Sequence, residues 1–533
     1  MAAKKRALIS VYDKRYVTNL ARDLIKFGYE LVSTGGTHRK LKEAGIPVKE
    51  LSRLVKSPEL LDGRVKSLHP HIHAAILADR DNEQHMKELA KQRIQPIDIV
   101  VVNFYPFRDK VKIGKTAIKS AVEMIDIGGP TMVRAAAKNH RHVVVISRVD
   151  QYREIARHLR DHDGEFEAAF RLELARDAFH ATAEFESAVT AYFDAVVPAR
   201  GEEPMEAPAA RALPAELLPK KLSLQLKLKD KLRYGENPHQ QAARYTAAGI
   251  PQLTYKVLQG KEMSYNNYLD AAATSAVITA AYPLPYTACV VKHLNPCGIA
   301  VGEDPVKTFI RARDADPKSA FGGIVGLSYP VDLKLARELR RTFFEIVIAP
   351  SFDDDAREHL ASKKNLRLIE ADLDECRTML ASSARFAANL LGVFLQGYDV
   401  VQEEWDQLHV VSNIEPDEGL RPDILLGLTF IRFLKSNSLC VVKNGVMIGR
   451  GVGQMSRVDA AELALKSAGR KCAGAVLVSD GFFPFADSIE LAAKAKIGCV
   501  VAPAGSKRDQ EVVAAANKLK LPLVFAPYRH FLH

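Results

Sequence analysis

Short apolar runs recurring between amphipathic stretches constrain this chain more than any other feature. Ala7-Leu8-Ile9-Ser10-Val11 reads as a strand, Lys14 to Phe27 as a helix, and Tyr29-Glu30-Leu31-Val32-Ser33 as the next strand. Ile97 to Val102 and His142 to Ser147 read as further strands. Runs apolar along their whole length are buried on both faces, which predicts a doubly wound α/β unit with a parallel sheet. Between Val197 and Leu218 the pattern dissolves into Pro198, Gly201, Pro204, Pro208 and Pro214. It resumes with strands predicted at Tyr286 to Lys292, Phe321 to Leu327, Ala475 to Ser479 and Gly498 to Ala502. The expected organisation is a domain over 1–197, a linker over 198–221 and a second domain over 222–533. The second is long enough for two α/β subdomains, although no strong sequence repeat relates them.

Lys and Arg total 75 against 64 Asp and Glu, a formal net charge of +11 that favours anionic partners. A nucleic-acid partner calls for a basic stripe with interleaved aromatics or a recognisable module; neither is present, and phosphorylated metabolites are the expected partners. The six cysteines, Cys289, Cys297, Cys376, Cys440, Cys472 and Cys499, never form a C-x-x-C pair, so reduced thiols in a cytoplasm are expected. Ala271 to Val291 carries 21 uncharged residues, but Tyr282-Pro283-Leu284-Pro285 interrupts it. A helix followed by a buried strand is expected there, with no membrane partner.

Two early strands run into turns of small or polar residues, Ser10-Val11-Tyr12-Asp13-Lys14 and Ser33-Thr34-Gly35-Gly36-Thr37, and each opens a helix. Free backbone N–H groups and the positive helix end can converge there on an anion, although a Thr-Gly-Gly-Thr turn alone is more often an ordinary tight turn. Gly63-Arg64-Val65-Lys66-Ser67-Leu68-His69-Pro70-His71-Ile72-His73 adds two cations and three histidines. Without an H-E-x-x-H partner these histidines lack a zinc ligand set. Asn103-Phe104-Tyr105-Pro106-Phe107 sets a phenol at a strand end. Ile125-Asp126-Ile127-Gly128-Gly129-Pro130-Thr131 then leads into a helix bearing Arg134, Lys138, Asn139 and His140.

In this order the motifs resemble the cyclohydrolase half of the bifunctional formyltransferase–cyclohydrolases of purine biosynthesis, over nearly all of residues 5 to 195. The resemblance implies a methylglyoxal-synthase-like doubly wound parallel sheet. It implies proton shuttling by Asp126 and Lys138, and contact of Lys66 and Tyr105 with the reacting oxygen. Ser10, Lys14, Ser33, Thr34, Gly35, Gly36, Thr37, Arg64, Ser67 and Gly128 would hold the nucleotide. The chemistry agrees: an amide nitrogen is a poor nucleophile, so ring closure needs proton transfer and a stabilised oxyanion. Two positions depart from the family pattern, Tyr12 where a small Ser is expected and Ser67 where Thr is usual.

The second half opens with Leu232-Arg233-Tyr234-Gly235-Glu236-Asn237-Pro238-His239-Gln240, too polar for core, followed by Tyr265-Asn266-Asn267-Tyr268-Leu269-Asp270. Val291-Lys292-His293-Leu294-Asn295-Pro296-Cys297-Gly298 then ends a strand. A lone strand-end histidine is usually structural, but Lys292 before it and the Asn-Pro-Cys-Gly turn after it raise the functional reading. Zinc deaminases need H-x-E and P-C-x-x-C. Here Gly298, Ile299 and Ala300 follow Cys297, which removes the metal chemistry and leaves the scaffold.

Residues Arg233 to His533 resemble the transformylase half of the same family, a pair of cytidine-deaminase-like α/β subdomains without zinc. Ser319-Ala320-Phe321-Gly322-Gly323, Lys435-Ser436-Asn437-Ser438, Gly453-Gln454-Met455-Ser456-Arg457 and Phe482-Phe483-Pro484-Phe485-Ala486-Asp487 carry the match. It implies formyl transfer from 10-formyltetrahydrofolate to the aminoimidazole carboxamide ribonucleotide AICAR, giving FAICAR, which closes to inosine monophosphate (IMP). It also implies a cytoplasmic homodimer, because the transformylase site is assembled between chains, and no divalent metal. His293 is the expected general base, since imidazole titrates near neutrality, with Lys292 stabilising the oxyanion. Arg233, Arg457 and Arg529 would hold phosphate or folate carboxylates. Asn267, Asn437 and Gln454 suit base or pterin edges, and Phe321 and Phe482 would flank a ring. Tyr234, Gly235, His239, Gly322, Glu345 and Asp487 complete the implied substrate-binding set. A rival reading is a regulatory nucleotide-binding protein that lost catalysis; retention of Asp126, Lys138, Lys292 and His293 together opposes it. An RNA-binding reading rests on net charge alone.

Overall fold

β1 (Arg6–Val11), β2 (Glu30–Ser33), β3 (Lys49–Glu50), β4 (Ile99–Asn103) and β5 (Val144–Ile146) stand in the order β3-β2-β1-β4-β5 in the computed structural model. Every neighbouring pair is parallel. Ala7, Leu8 and Ile9 of β1 and Ile99 to Val102 of β4 are buried, as expected of strands covered on both faces. The first helix, Val17–Lys26, buries Val17, Leu20, Ala21 and Leu24, one stripe at helical spacing. It begins later than the sequence pattern predicts. The Asp13 carboxylate accepts from the Arg15 backbone N–H and side chain, and Tyr16 sits at φ 58°, so the chain turns before it coils. The structure describes residues 5–55, 65, 67–111, 116–196, 226–247, 253–280 and 286–533. The chain divides into two units, Met1–Pro214 and Ala215–His533. The linker expected over 198–221 lies outside the described residues.

The second unit carries β6 (Leu226–Leu232), β7 (Ala242–Ala247), β8 (Tyr255–Gln259), β9 (Tyr286–Lys292), β10 (Asn295–Gly302), β11 (Ile324–Leu327), β12 (Ile346–Ala349) and β13 (Arg367–Ala371). It continues with β14 (Ala384–Asn389), β15 (Gly392–Gly397), β16 (His409–Val410), β17 (Leu439–Lys443), β18 (Val446–Gly451), β19 (Val476–Ser479), β20 (Cys499–Pro503) and β21 (Leu523–Ala526). One sheet runs β16-β21-β20-β19-β17-β18-β10-β9-β11-β12-β13-β8, and β6–β7 and β14–β15 form separate hairpins.

This order is a duplication. The antiparallel pair β9–β10 is followed by β11, β12 and β13, mutually parallel, with β8 antiparallel at the edge. β17–β18 are followed in the same way by β19, β20 and β21, with β16 at the other edge. The halves meet where Ala300 of β10 faces Val446 of β18. Repetition of topology without repetition of sequence follows from what packing demands, namely apolar volume and pattern rather than residue identity. The helices also approach the sheet closely in both halves. A Cβ at Gly298 of β10 would strike the backbone of Ala312, and Cβ atoms at Gly449 and Gly451 of β18 would strike the backbones of Ala464 and Ala460.

Phe321 to Gly323, predicted as the start of a strand, instead form the turn before β11. Gly322 takes φ 75° there and its N–H bonds the Phe343 carbonyl, so ladder pairing begins only at Ile324. Among the described residues no helix is long and apolar enough to cross a membrane, and all six cysteines are buried and free. The close approach at Gly451 makes a direct prediction. Gly451→Ala is expected to lower stability by about 1–3 kcal/mol through overpacking. Chemical denaturation should show this as a lowered midpoint for the second unit, with the first unit's transition unmoved.

Candidate active sites

In the first unit, β1 and β2 bring the two polar turns side by side. The Ser10 and Thr34 hydroxyls lie 2.7 Å apart. Thr37 Oγ1 accepts from the Val11 N–H and donates to the Val11 carbonyl, both at 3.0 Å, and Ser33 Oγ donates to the Ile9 carbonyl. Thr34 is the extended residue before the helix Gly35–Glu43, so Gly35 and Gly36 are its first turn. A Cβ on Gly36 would lie 3.6 Å from Lys14 Cε and 3.8 Å from its Nζ, which places an ammonium against a helix N-terminus. Those are the elements of an anion cradle: free N–H groups, the positive helix end and a cation. Ser33 and Thr37 fix the cradle's walls, while Ser10, Lys14 and Thr34 are the groups at its mouth.

Asn103, at the end of β4, clips this turn. Its Oδ1 accepts from the Asp13 N–H at 2.9 Å and its Nδ2 donates to the Asp13 carbonyl at 3.0 Å. Asn103 itself carries no distinguishing signal in the sequence, being a single asparagine at a strand end. Tyr12, 42% exposed, packs edge-on against Tyr105 with ring centroids 4.5 Å apart. Desolvation, then the Tyr12 phenol, push the Tyr105 hydroxyl above its ordinary pKa.

Asp126 is half-buried, and its Oδ1 accepts from the Gly129 N–H at 2.9 Å. Burial raises its pKa against the opposing pull of the Gly129 and Gly128 N–H groups. A Cβ on Gly128 would collide with the Ser67 hydroxyl, so the buried Ser67 belongs to the same corner. Arg64 and Lys66 lie outside the described residues. Lys138 ends the helix Gly128–Lys138 and is exposed. Ten residues of helix rise separate Gly128 from it by about 15 Å. Asp126 and Lys138 therefore stand at opposite ends of one helix.

The three histidines of the basic cluster turn out to be local. His69 caps the helix Pro70–Leu77, its Nδ1 accepting from the His71 N–H. Burial lowers the His69 and His73 pKa values. Among the described residues, the one trio with metal-ligand proximity is Asp79, Asp81 and His142, not this cluster. His142 Nε2 lies 3.0 Å from Asp79, and Arg141 pairs with Asp81, so these groups already answer one another.

In the second unit the nominated residues fall into two linked clusters. Lys292 ends β9 and donates to the Phe321 carbonyl at 2.8 Å; Phe321 itself is exposed, facing Phe343. His293 and Leu294 adopt positive φ in the tight β9–β10 turn, held by Asp270, whose carboxylate accepts from the Leu294 N–H. His293 is thereby left pointing out of the ladder and exposed. Asn267 donates to Glu345 at 2.7 Å, and the Glu345 N–H reaches the Gly323 carbonyl. Gly235 is buried in the Arg233–Gln240 turn, which Asn266 joins through the Glu236 carbonyl, while Arg233 and His239 are exposed and Arg233 lies over Tyr234.

The second cluster centres on Asp480, which is 0% exposed. One carboxylate oxygen accepts from Arg457 at 2.6 Å; the other accepts from the Ser436 hydroxyl and from the N–H and hydroxyl of Ser438. Arg457 also donates to Ser479 Oγ and the Phe482 carbonyl. Its guanidinium is thus largely committed within the protein, unlike the exposed Arg233 and Arg529. Asn437 and Gln454 bond each other's backbones, and the Asp487 carboxylate accepts from the Ser488 N–H in the first turn of the helix Asp487–Lys494. Asn295 joins the clusters, donating to the His293 carbonyl and accepting from the Lys435 N–H.

Comparison with known proteins agrees with this architecture. A family model described as MGS-like domain matches residues 16–131, and one described as AICARFT/IMPCHase bienzyme matches residues 136–467. The bifunctional purine biosynthesis protein PurH of Synechococcus sp. (strain WH7803) is 44% identical over 99% of each chain. That of Synechococcus elongatus is 42% identical over 99% of each, and that of Anoxybacillus flavithermus 40% identical over 99% of this chain and all of its own. The fold and these matches define a two-unit α/β enzyme, a methylglyoxal-synthase-like unit joined to one whose sheet is duplicated. The chain belongs to the AICARFT/IMPCHase bienzyme family, the formyltransferase–cyclohydrolases of purine biosynthesis.

The Asn103 clip yields a prediction for the cyclohydrolase half. Asn103→Ala leaves the Asp13 N–H and carbonyl without their side-chain partner, a loss worth about 1–3 kcal/mol where burial keeps water out. The KM for FAICAR is expected to rise by roughly tenfold or more, with little change in kcat, in a steady-state cyclohydrolase assay.

Proposed function

We propose that the second unit transfers the formyl group of 10-formyltetrahydrofolate to the amine of AICAR, and that the first unit closes the resulting FAICAR to IMP with loss of water. The observation that carries the ring-closure half is Asp126: a half-buried carboxyl whose pKa burial raises, at a helix N-terminus that packs against Ser67, in the same unit as the Lys14 cradle. A carboxyl so tuned can take up and return a proton nearer neutrality than an ordinary one. Ser10, Lys14, Thr34, Gly35 and Gly36 bind the phosphate, and Tyr105 and Lys66 contact the reacting oxygen. Asp126 is the first proton carrier. Lys138, at the far end of the same helix, carries a proton separately from Asp126 rather than in direct exchange with it.

In the formyl-transfer half, His293 removes the proton from the AICAR amine as its nitrogen attacks the formyl carbon. The bond from that carbon to the folate nitrogen then breaks, and the proton passes to the leaving nitrogen. Lys292, directed into the Phe321 turn, stabilises the oxygen that gains charge between these events. Arg233 and Arg529, exposed, hold phosphate or folate carboxylates, and Arg457 acts indirectly by fixing Asp480. No divalent metal enters either step, and the chain works in the cytoplasm.

A homodimer completes the second site. The β14–β15 arm carries Leu390 at 105% and Leu391 at 90% exposure, with Val393 and Phe394 beside them. An isolated two-stranded hairpin is marginal in water and an apolar patch on it marks a contact surface. A second copy of this chain is the occupant consistent with a site built between chains.

The assay that tests the whole reading follows IMP formation from AICAR and 10-formyltetrahydrofolate, with and without prior chelation; a loss of rate restored specifically by zinc would overturn the metal-free mechanism. Separation of the halves is expected on mutation. Asp126→Asn should slow ring closure about a hundred- to ten-thousandfold, more than Lys138→Ala, so that FAICAR accumulates. Its raised pKa means that, as pH falls, the wild-type cyclohydrolase rate drops earlier than for an ordinary carboxylate. His293→Ala should abolish formyl transfer and spare closure of supplied FAICAR; loss of both activities in a folded variant points to one shared site instead.

A further inference from the structure

The segment Tyr528–His533 has no regular secondary structure, yet it carries Arg529 beside the Asp480 cluster. Its backbone is held by four hydrogen bonds: the His530 N–H donates to the Asp480 carbonyl, the Ser436 N–H to the Leu532 carbonyl, and both Lys435 Nζ and Arg385 Nη2 to the His533 carbonyl. Arg529 lies 4.8 Å above the Phe531 ring, which Arg457 also faces at 5.8 Å. The remaining anchor is the His530 side chain, 2% exposed. Its Nδ1 lies 2.7 Å from Asp399 Oδ2 and its Nε2 2.6 Å from Glu403 Oε1.

Only an imidazolium has N–H donors on both ring nitrogens; a neutral ring would turn a lone pair toward one of the carboxylates. Arg432, also buried, donates to the Val401 and Asp399 carbonyls, so two cations face two anions in this pocket. We propose that His530 is a positioning residue of the formyl-transfer site, its ring clamped between Asp399 and Glu403 so that the segment presents Arg529 to the anionic substrate. This rests on the reading of Arg529 as a substrate-binding residue. Burial alone would lower the His530 pKa, but the bonds to Asp399 and Glu403 and their charges override it and raise the value to about 9. Asp399 is held below its ordinary value by the same contact, against its own burial. Because the folded pKa lies above the unfolded one, near 6.5, the clamp acts in full below about pH 6.5 and is lost as pH rises through about 9.

The experiment is steady-state formyl transfer by His530→Gln and Arg529→Ala beside the wild type, from pH 7 to 10, with cyclohydrolase activity on FAICAR measured on the same samples. His530→Gln can fill one of the two contacts but carries no charge. Its KM for AICAR or for the folate is expected to rise on the order of ten- to a hundredfold, since a small displacement of a binding group costs that much. The kcat should change less, and cyclohydrolase activity should persist. The wild-type KM should climb as pH passes about 9, and this limb should be missing in the variant. A rise with Arg529→Ala but none with folded His530→Gln overturns the clamp and leaves the site reading standing. No rise with Arg529→Ala overturns the reading of Arg529 itself. Should His530→Gln fail to fold, Glu403→Gln serves in its place, keeping the Asp399 contact, and the single tryptophan, Trp405, reports whether that corner stays packed. An unchanged KM in that folded variant also overturns the proposal.

Discussion

A strand covered on both faces has no room for an unpaired ionisable side chain, and this constraint decides where chemistry can occur in both units. β1, β2 and β4 are buried along their middles, so polar residues enter only near their ends: Arg6 and Glu30, paired with each other, where β1 and β2 begin, and Ser10, Ser33 and Asn103 where β1, β2 and β4 finish. β9 is buried from Thr287 to Val291 and ends on the part-exposed Lys292, and β19 is buried throughout and ends on the polar Ser479. The turns that follow carry the cradle, the His293 turn and the Asp480 network. The sheet thus acts as a ruler that sets reactive groups at fixed strand termini.

Those termini are then made rigid by local polar cages. Asp480 is the clearest case, a fully buried carboxylate that Arg457, Ser436 and Ser438 satisfy together. An unpaired charge there would be severely destabilising, whereas a paired one fixes the loop around it. Asn103 does the same with neutral groups for the Asp13 turn. Asp126 represents the opposite choice: burial raises its pKa, opposed by the N–H groups of Gly129 and Gly128. Groups that hold the sites are saturated; groups proposed to react are left partly unsatisfied or exposed.

The duplicated second unit extends the ruler. Each half repeats an antiparallel pair followed by three parallel strands, and the joint between β10 and β18 brings one half's Lys292–His293 turn near the other half's Lys435–Ser438 segment through Asn295. A single half offers only one of these clusters. That gives a physical reason for the two halves to remain fused in one sheet.

The sequence by itself determined the doubly wound class of the first unit and the order of its motifs, because uniform apolar runs and polar turns are local properties read from neighbouring residues. It also placed Lys292, His293 and Asp126 at element ends. What it did not contain was partnership: that Arg457 is committed to Asp480, or that Phe321 lies in a turn closed by the Gly322 bond to Phe343. Those depend on groups distant in the chain, such as Asp270 with Leu294 or His530 with Asp399. Only tertiary structure decides them, since a charge's role depends on which opposite group burial forces against it, and no periodicity along the chain records that distance.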